Sequence, residues 1–173
     1  MKEIVEATQM SKGAFYHYFK TKEQIFLEIV ESIYSTLINI DYKRFTKDSL
    51  RMYYEDYLTH LGRMYDSLLA SGIVSTFDLN YYSLVFDAIR YFPDFREKMI
   101  TATSAELASW KAIVRIARQK GEIKSAMNDT HVAEIFIHTS SGVGMNNMMV
   151  GKSSDTAKDL SAIWNGFYAS IKA

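Results

Sequence analysis

"QMSKGAFYHYFKTKEQ" (residues 9–24) sets five ring-bearing side chains in a row, Phe15 to Phe19, between a small polar start and a lysine-rich tail. Five consecutive rings cannot share one core on a helix, because each residue turns about 100° around the axis. Phe15, Tyr18 and Phe19 fall on one face at i, i+3 and i+4 and are expected to bury together. Lys12, Gly13, Tyr16 and His17 then fall on the opposite face. Ser11 suits the cap of this helix, predicted over residues 12–18, since its hydroxyl can accept from a free N–H of the first turn. Thr21 opens the next helix, with Gln24 at capping-box spacing.

Working outward, residues 2–8 read as a short helix with Ile4 and Val5 apolar, broken by "TQMS". After Thr21, Ile25, Phe26, Ile29, Val30, Ile33, Leu37 and Ile40 recur at helical spacing, one broad stripe on a helix to about residue 40. Two short helices around a tight turn, followed at once by a longer third, fit a helix-turn-helix. The outward residues of the second helix suit a phosphate-lined groove. Lys12 supplies charge, Gly13 lets a backbone approach closely, and Tyr16 and His17 each offer a hydrogen bond. Lys22 adds a cation at a helix N-terminus, which attracts phosphate. A plain aromatic core helix is the competing reading, and it leaves Lys12, Gly13 and His17 unexplained.

"MKEIVEATQMSKGAFYHYFKTKEQIFLEIVE" closely resembles the DNA-binding domain of the TetR family of bacterial transcriptional regulators, and "SKGAFYHYFKTKEQIF" is its most diagnostic part. The resemblance implies that residues 12–18 are the recognition helix. By the same likeness Lys12, Gly13, Ala14, Tyr16, His17 and Lys22 are the positions at DNA. Three departures stand out. Gln9 sits where the family often has a glycine in the turn, which makes a left-handed residue costlier. Ala14 replaces a frequent threonine or serine, removing one hydroxyl contact. The family's helix ahead of residues 2–8 is missing here, which is expected to uncover parts of Phe15, Phe19, Phe26 and Ile29 and to weaken the DNA-binding module.

The remainder is read as all-α. One proline and eight glycines in 173 residues leave few breakers, and 48% apolar residues suffice for a sizeable core. Cysteine is absent, which excludes disulfides, thiolate metal sites and cysteine nucleophiles and fits a reducing cytoplasm. No apolar run nears the roughly 20 residues of a membrane span, and the first ten residues do not read as a signal peptide. Formal net charge is zero, so a nucleic-acid role must rest on a local surface.

"DYKRFTKD" reads as a connection. Helical periods return over 48–71, with Gly72 as the stop, and over 79–91. A long helix starts at Pro93 or Asp94 and ends near Lys120 with Gly121 as its cap. Residues 129–149 and 155–171 complete about eight helices. Residues 1–40 are thus expected to form the DNA-binding domain with its connecting helix. Residues 41–173 are expected to form a helical effector-binding and dimerisation domain, whose junctions "FPDFREKM" and "QKGEIKSAMNDTHVAEIF" match the family in pattern.

The family resemblance implies an effector pocket within that second domain. Tyr57, His60, Met64, Tyr82, Phe86 and Trp110 are its candidate lining, suited to a small apolar or aromatic molecule. For any single one of them ordinary helix packing is the favoured reading. The resemblance also implies a homodimer through the last two helices. Ser140, Ser141, Gly142 and Gly144 are small enough for close approach, Met145 is a further interface candidate, and Trp164, Phe167, Tyr168 and Ile171 would form an apolar stripe. The alternative is that these helices cover their own chain.

"VGKSS" (150–154) hints at a phosphate loop, but Asn146 stands where glycine is needed and no strand precedes it. His131, Glu134 and His138 share a helical face, yet no fourth metal ligand is evident. No cofactor, metal or catalytic group is expected. The reading is a TetR-like regulator, a repressor bound as a dimer to a palindromic DNA operator and released by a small effector. The rivals are a truncated ligand-sensing helical dimer without independent DNA binding and a small all-α enzyme.

Overall fold

The structure, a computed structural model, describes residues 2–70 and 74–173, with the side chains of 37, 68, 69 and 74–81 outside the description. The predicted stop at Gly72 lies outside the described residues. The described chain holds eight α-helices and no strand: α1 (Lys2–Ala7), α2 (Lys12–Tyr18), α3 (Lys22–Ile33), α4 (Leu50–Ala70), α5 (Val74–Tyr91), α6 (Pro93–Gln119), α7 (Asp129–Met149) and α8 (Thr156–Ile171). The chain divides into two compact units, Met1–Asn39 and Ile40–Ala173.

In the first unit the caps form much as the residue types dictate. Ser11 Oγ accepts from the Ala14 N–H at 3.2 Å, and Thr21 Oγ1 accepts from the Gln24 N–H at 3.2 Å. The reciprocal arm of the capping box is displaced by one residue. Gln24 Oε1 accepts from the Lys20 N–H at 2.6 Å, so the side chain satisfies the residue before the cap. Helix α3 does not run on regularly to residue 40. Tyr34–Ile38 form a π-helical turn, closed by the Asn39 N–H on the Tyr34 carbonyl at 2.8 Å. Among the described residues, Val5, Phe15, Val30 and Ile33 are this unit's buried apolar side chains.

The second unit is built on aromatic packing. Trp110 of α6 stacks on Phe136 of α7 with centroids 4.9 Å apart, and meets Tyr53 of α4 edge-on at 4.9 Å. Trp164 of α8 meets Trp110 edge-on at 5.5 Å. Polar tips inside this core are paired. The Trp164 Nε1–H donates to Thr139 Oγ1 at 2.7 Å, and the Tyr54 hydroxyl donates to Asn165 Oδ1 at 2.8 Å.

One end of the unit is tied by Glu122. Its carboxylate accepts the backbone N–H of Leu50 at 2.9 Å and of Arg51 at 3.1 Å, and the Tyr168 hydroxyl at 3.1 Å. An anion at two orphan N–H groups complements the start of α4, so this one side chain joins the α6–α7 turn, α4 and α8. Helices α6 and α7 both end in Schellman motifs. Gly121 (φ 71°) and Gly151 (φ 70°) take the left-handed position. At the first, the Glu122 N–H reaches the Ala117 carbonyl at 2.8 Å; at the second, the Lys152 N–H reaches the Asn147 carbonyl at 2.7 Å. The "VGKSS" segment is therefore a helix cap.

Candidate nucleic-acid interface

Helix α2 is seven residues long, and its inner face is narrower than expected. Phe15 is 1% exposed and Phe19 partly buried, with ring centroids 5.4 Å apart. Tyr18 is 68% exposed, a correction to the three-residue face. Tyr18 ends the helix, and its ring turns outward to meet His17 edge-on at 5.4 Å. Of the residues expected to be uncovered, Ile29 is 44% exposed and Phe26 partly buried, while Phe15 is covered.

Lys12, Gly13, Ala14, Tyr16 and His17 of α2, and Lys22 at the start of α3, are all exposed. No atom lies within 4 Å of the place a Cβ would take at Gly13, so the backbone there is open to a close neighbour. Lys20 is held down, its ammonium donating to the Tyr16 carbonyl at 2.7 Å at the end of α2. Gln9 has φ 56°, a left-handed turn residue without the freedom of glycine. The turn is braced by Thr8, whose hydroxyl donates to the Val5 carbonyl at 2.9 Å.

With this geometry in place, comparison with known proteins adds one match. Residues 1–29 match the family model of bacterial regulatory proteins, tetR family. Residues 1–29 are thus similar to the helix-turn-helix DNA-binding domain of TetR-type transcriptional regulators. No curated protein and no solved structure matches the chain. No helix among the described residues is long and apolar enough to cross a membrane.

The residues predicted to line an effector pocket scatter across three environments. Tyr57 and Trp110 are buried in the aromatic core. The Tyr57 hydroxyl lies 3.0 Å from Ser140 Oγ. His60 and Met64 are partly buried along α4. Tyr82 and Phe86 stack on each other at 6.0 Å, but Phe86 is 58% exposed, so an inward position for its ring is corrected. Among the described residues three side-chain polar atoms of the unit are buried without a partner, Trp110 Nε1, His60 Nε2 and Ser153 Oγ. Burial lowers the His60 pKa, with Arg63 adding to the effect.

Sequence reasoning missed Glu106 and Tyr42. Tyr42 lies in a 3₁₀ turn (Tyr42–Arg44); burial raises its pKa, with the charge of Glu106 adding to the effect. Burial raises the Glu106 pKa, opposed by Tyr42 and by His138 of α7. The signal was there. Residues 106, 110, 113 and 117 lie at helical spacing, and the last three form the buried face of α6, so Glu106 is a carboxylate on an apolar stripe.

The predicted dimer residues also divide. Ser141, Gly142 and Met145 are exposed on α7, and nothing lies within 4 Å of a Cβ built at Gly142. Trp164 and Tyr168 are buried and Phe167 packs against the core, so this stripe covers its own chain. The apolar groups these two helices leave exposed are Met145, Met149, Val150 and Ile163. His131, Glu134 and His138 line an open groove of about 640 Å³ together with Met127, Ile135 and Thr139. Among the described residues no three histidine or carboxylate groups are placed to hold a metal ion.

Proposed function

We propose that the chain is a cytoplasmic repressor that binds a palindromic DNA operator as a homodimer and leaves it when a small apolar or aromatic effector enters the second unit. The observation that carries this reading is the two-sided helix α2. Phe15 is buried, while Lys12, Gly13, Tyr16 and His17 stand exposed within the segment that matches the family. Lys12 and Lys22 would neutralise phosphates and set the register, and Tyr16 and His17 would reach phosphate oxygens or base edges.

Two copies would pair through the exposed faces of α7 and α8, with Ser141, Gly142 and Met145 joined by Met149 and Ile163. Two recognition helices related by a two-fold axis call for a two-fold operator. Effector binding would then shift the population between a DNA-competent and a DNA-free arrangement. Enzymatic activity forms no part of this reading.

The test is selection from a pool of random-sequence duplexes by the full chain. Enrichment of a palindrome with half-sites about one helical turn apart is the expected outcome. A ligand-sensing dimer without independent DNA binding predicts that no sequence is enriched while sedimentation still shows a dimer. A monomer that enriches nothing would defeat both readings.

A further inference from the structure

Helix α2 ends in a way that the longer helices α6 and α7 do not. Those two stop at a left-handed glycine, whereas α2 runs into Phe19, Lys20 and Thr21, with Phe19 extended at φ −121°. The last carbonyls of a helix find no partner within it, so something else must cover them. Here the Tyr16 carbonyl takes the Lys20 ammonium at 2.7 Å, a cation at the negative end of the helix. The main chain of the same lysine is bound in the other direction. Its N–H donates to Gln24 Oε1 at 2.6 Å, and the Gln24 N–H in turn donates to Thr21 Oγ1 at 3.2 Å in the first turn of α3. Lys20 is thus tied to α2 by its side chain and to α3 by its main chain, and it braces the junction between them. The turn it steadies carries Tyr16 and His17, both exposed.

We propose that Lys20 and Gln24 are positioning residues for DNA recognition: the Lys20 charge serves the helix rather than a phosphate, and Gln24 fixes the lysine's main chain, so that Tyr16 and His17 are presented in one geometry. This inference rests on the reading that the outer face of α2 meets DNA. Lys12, Lys20 and Lys22 are all exposed, and by charge alone each would count as a phosphate contact. Hydrogen bonding sets Lys20 apart. An ammonium held on a carbonyl of the neighbouring helix must break that bond to reach a phosphate, and doing so uncovers the turn that carries two of the proposed contacts.

The test is fluorescence anisotropy of a duplex selected by the wild-type chain, over a series of salt concentrations and below the melting temperature of every variant. Lys20→Met keeps the aliphatic stem and removes the charge, and is expected to weaken binding about three- to tenfold with the salt slope unchanged. Lys20→Arg, whose guanidinium can donate to the same carbonyl, is expected to bind within about twofold of wild type. Gln24→Ala removes no charge and is expected to weaken binding to a similar degree as Lys20→Met, which keeps the brace testable if Lys20→Met does not fold. Added to Tyr16→Ala and His17→Ala together, Lys20→Met is expected to cost less than about twofold more, because the groups it positions are gone. A salt slope lowered by about 1 in Lys20→Met makes Lys20 a phosphate contact and overturns the inference. Wild-type affinity in both Lys20→Met and Gln24→Ala, or a full effect of Lys20→Met in the absence of Tyr16 and His17, overturns it too. Each of these results leaves α2 on DNA as long as Lys12→Ala still weakens binding. If Lys12→Ala, Tyr16→Ala and His17→Ala all bind as wild type does, the reading of α2 falls as well.

Discussion

The two units differ in how they hold their helices. In Met1–Asn39 the buried apolar residues among those described are Val5, Phe15, Val30 and Ile33, and large rings such as Tyr16 and Tyr18 stand exposed. In Ile40–Ala173 the rings turn inward, with Tyr53, Tyr54, Trp110, Phe136 and Trp164 packed on one another and their polar tips mostly paired. The first unit withholds aromatic surface from its core, and the second spends it there. A unit with a small core and exposed rings gives up stability for a surface.

The largest effect should come from the rings that this contrast turns on. Trp110→Ala removes the plate between Tyr53, Phe136 and Trp164 and should destabilise the second unit by about 3–5 kcal/mol in urea unfolding. Phe15→Ala should instead melt the first unit and abolish DNA binding, with the near-ultraviolet circular dichroism of the second unit unchanged. A Phe15→Ala variant that loses both signals together would mean that the two units do not unfold separately.

Glu122→Ala should cost about 2–3 kcal/mol, since it strips acceptors from Leu50, Arg51 and Tyr168 at once. Thermal melts of Glu122→Ala and Glu122→Gln would separate the loss of acceptors from the loss of charge.

Within the first unit, Gln9→Gly should stabilise by about 0.5 kcal/mol, the relief of a left-handed residue partly offset by glycine's extra freedom when unfolded. Unchanged or lower stability would place the turn's tolerance in bonds made by Gln9 itself.

The smallest effect is a pH dependence in the second unit. His60 has a folded pKa below its ordinary value of 6.5, chiefly through burial. Its contribution is present above 6.5 and is lost as pH falls through the folded value. The melting temperature should therefore decline on acidification from pH 7 to 5, and decline less in His60→Gln.

Much of this architecture could be read from residue types, because caps and breakers act locally. Ser11 fixed the start of α2, Asn128 accepts from the His131 N–H at 2.8 Å to start α7, and Gly121 ends α6 as expected. What local reasoning could not decide was which neighbour covers a face. The stripe of Trp164 and Tyr168 has helical spacing whether a second chain or the same chain lies against it, and here the same chain does. Tyr18 matched the inner face by spacing, but at the last residue of a seven-residue helix no further turn encloses it. Glu106 was legible as a misplaced carboxylate on an apolar stripe, while Tyr42, whose pKa its charge helps to raise, is 64 positions away along the chain, too distant for any periodicity to reveal.

The outer face of α2 as a DNA-contacting surface is tested most directly by fluorescence anisotropy of a duplex selected by the wild-type chain, titrated over a series of salt concentrations. Lys12→Ala and Lys22→Ala should each weaken binding and lower the salt slope by about 1. His17→Ala should weaken binding and leave that slope nearly unchanged. Wild-type affinity and slope in all three variants would contradict the assignment of α2 to DNA.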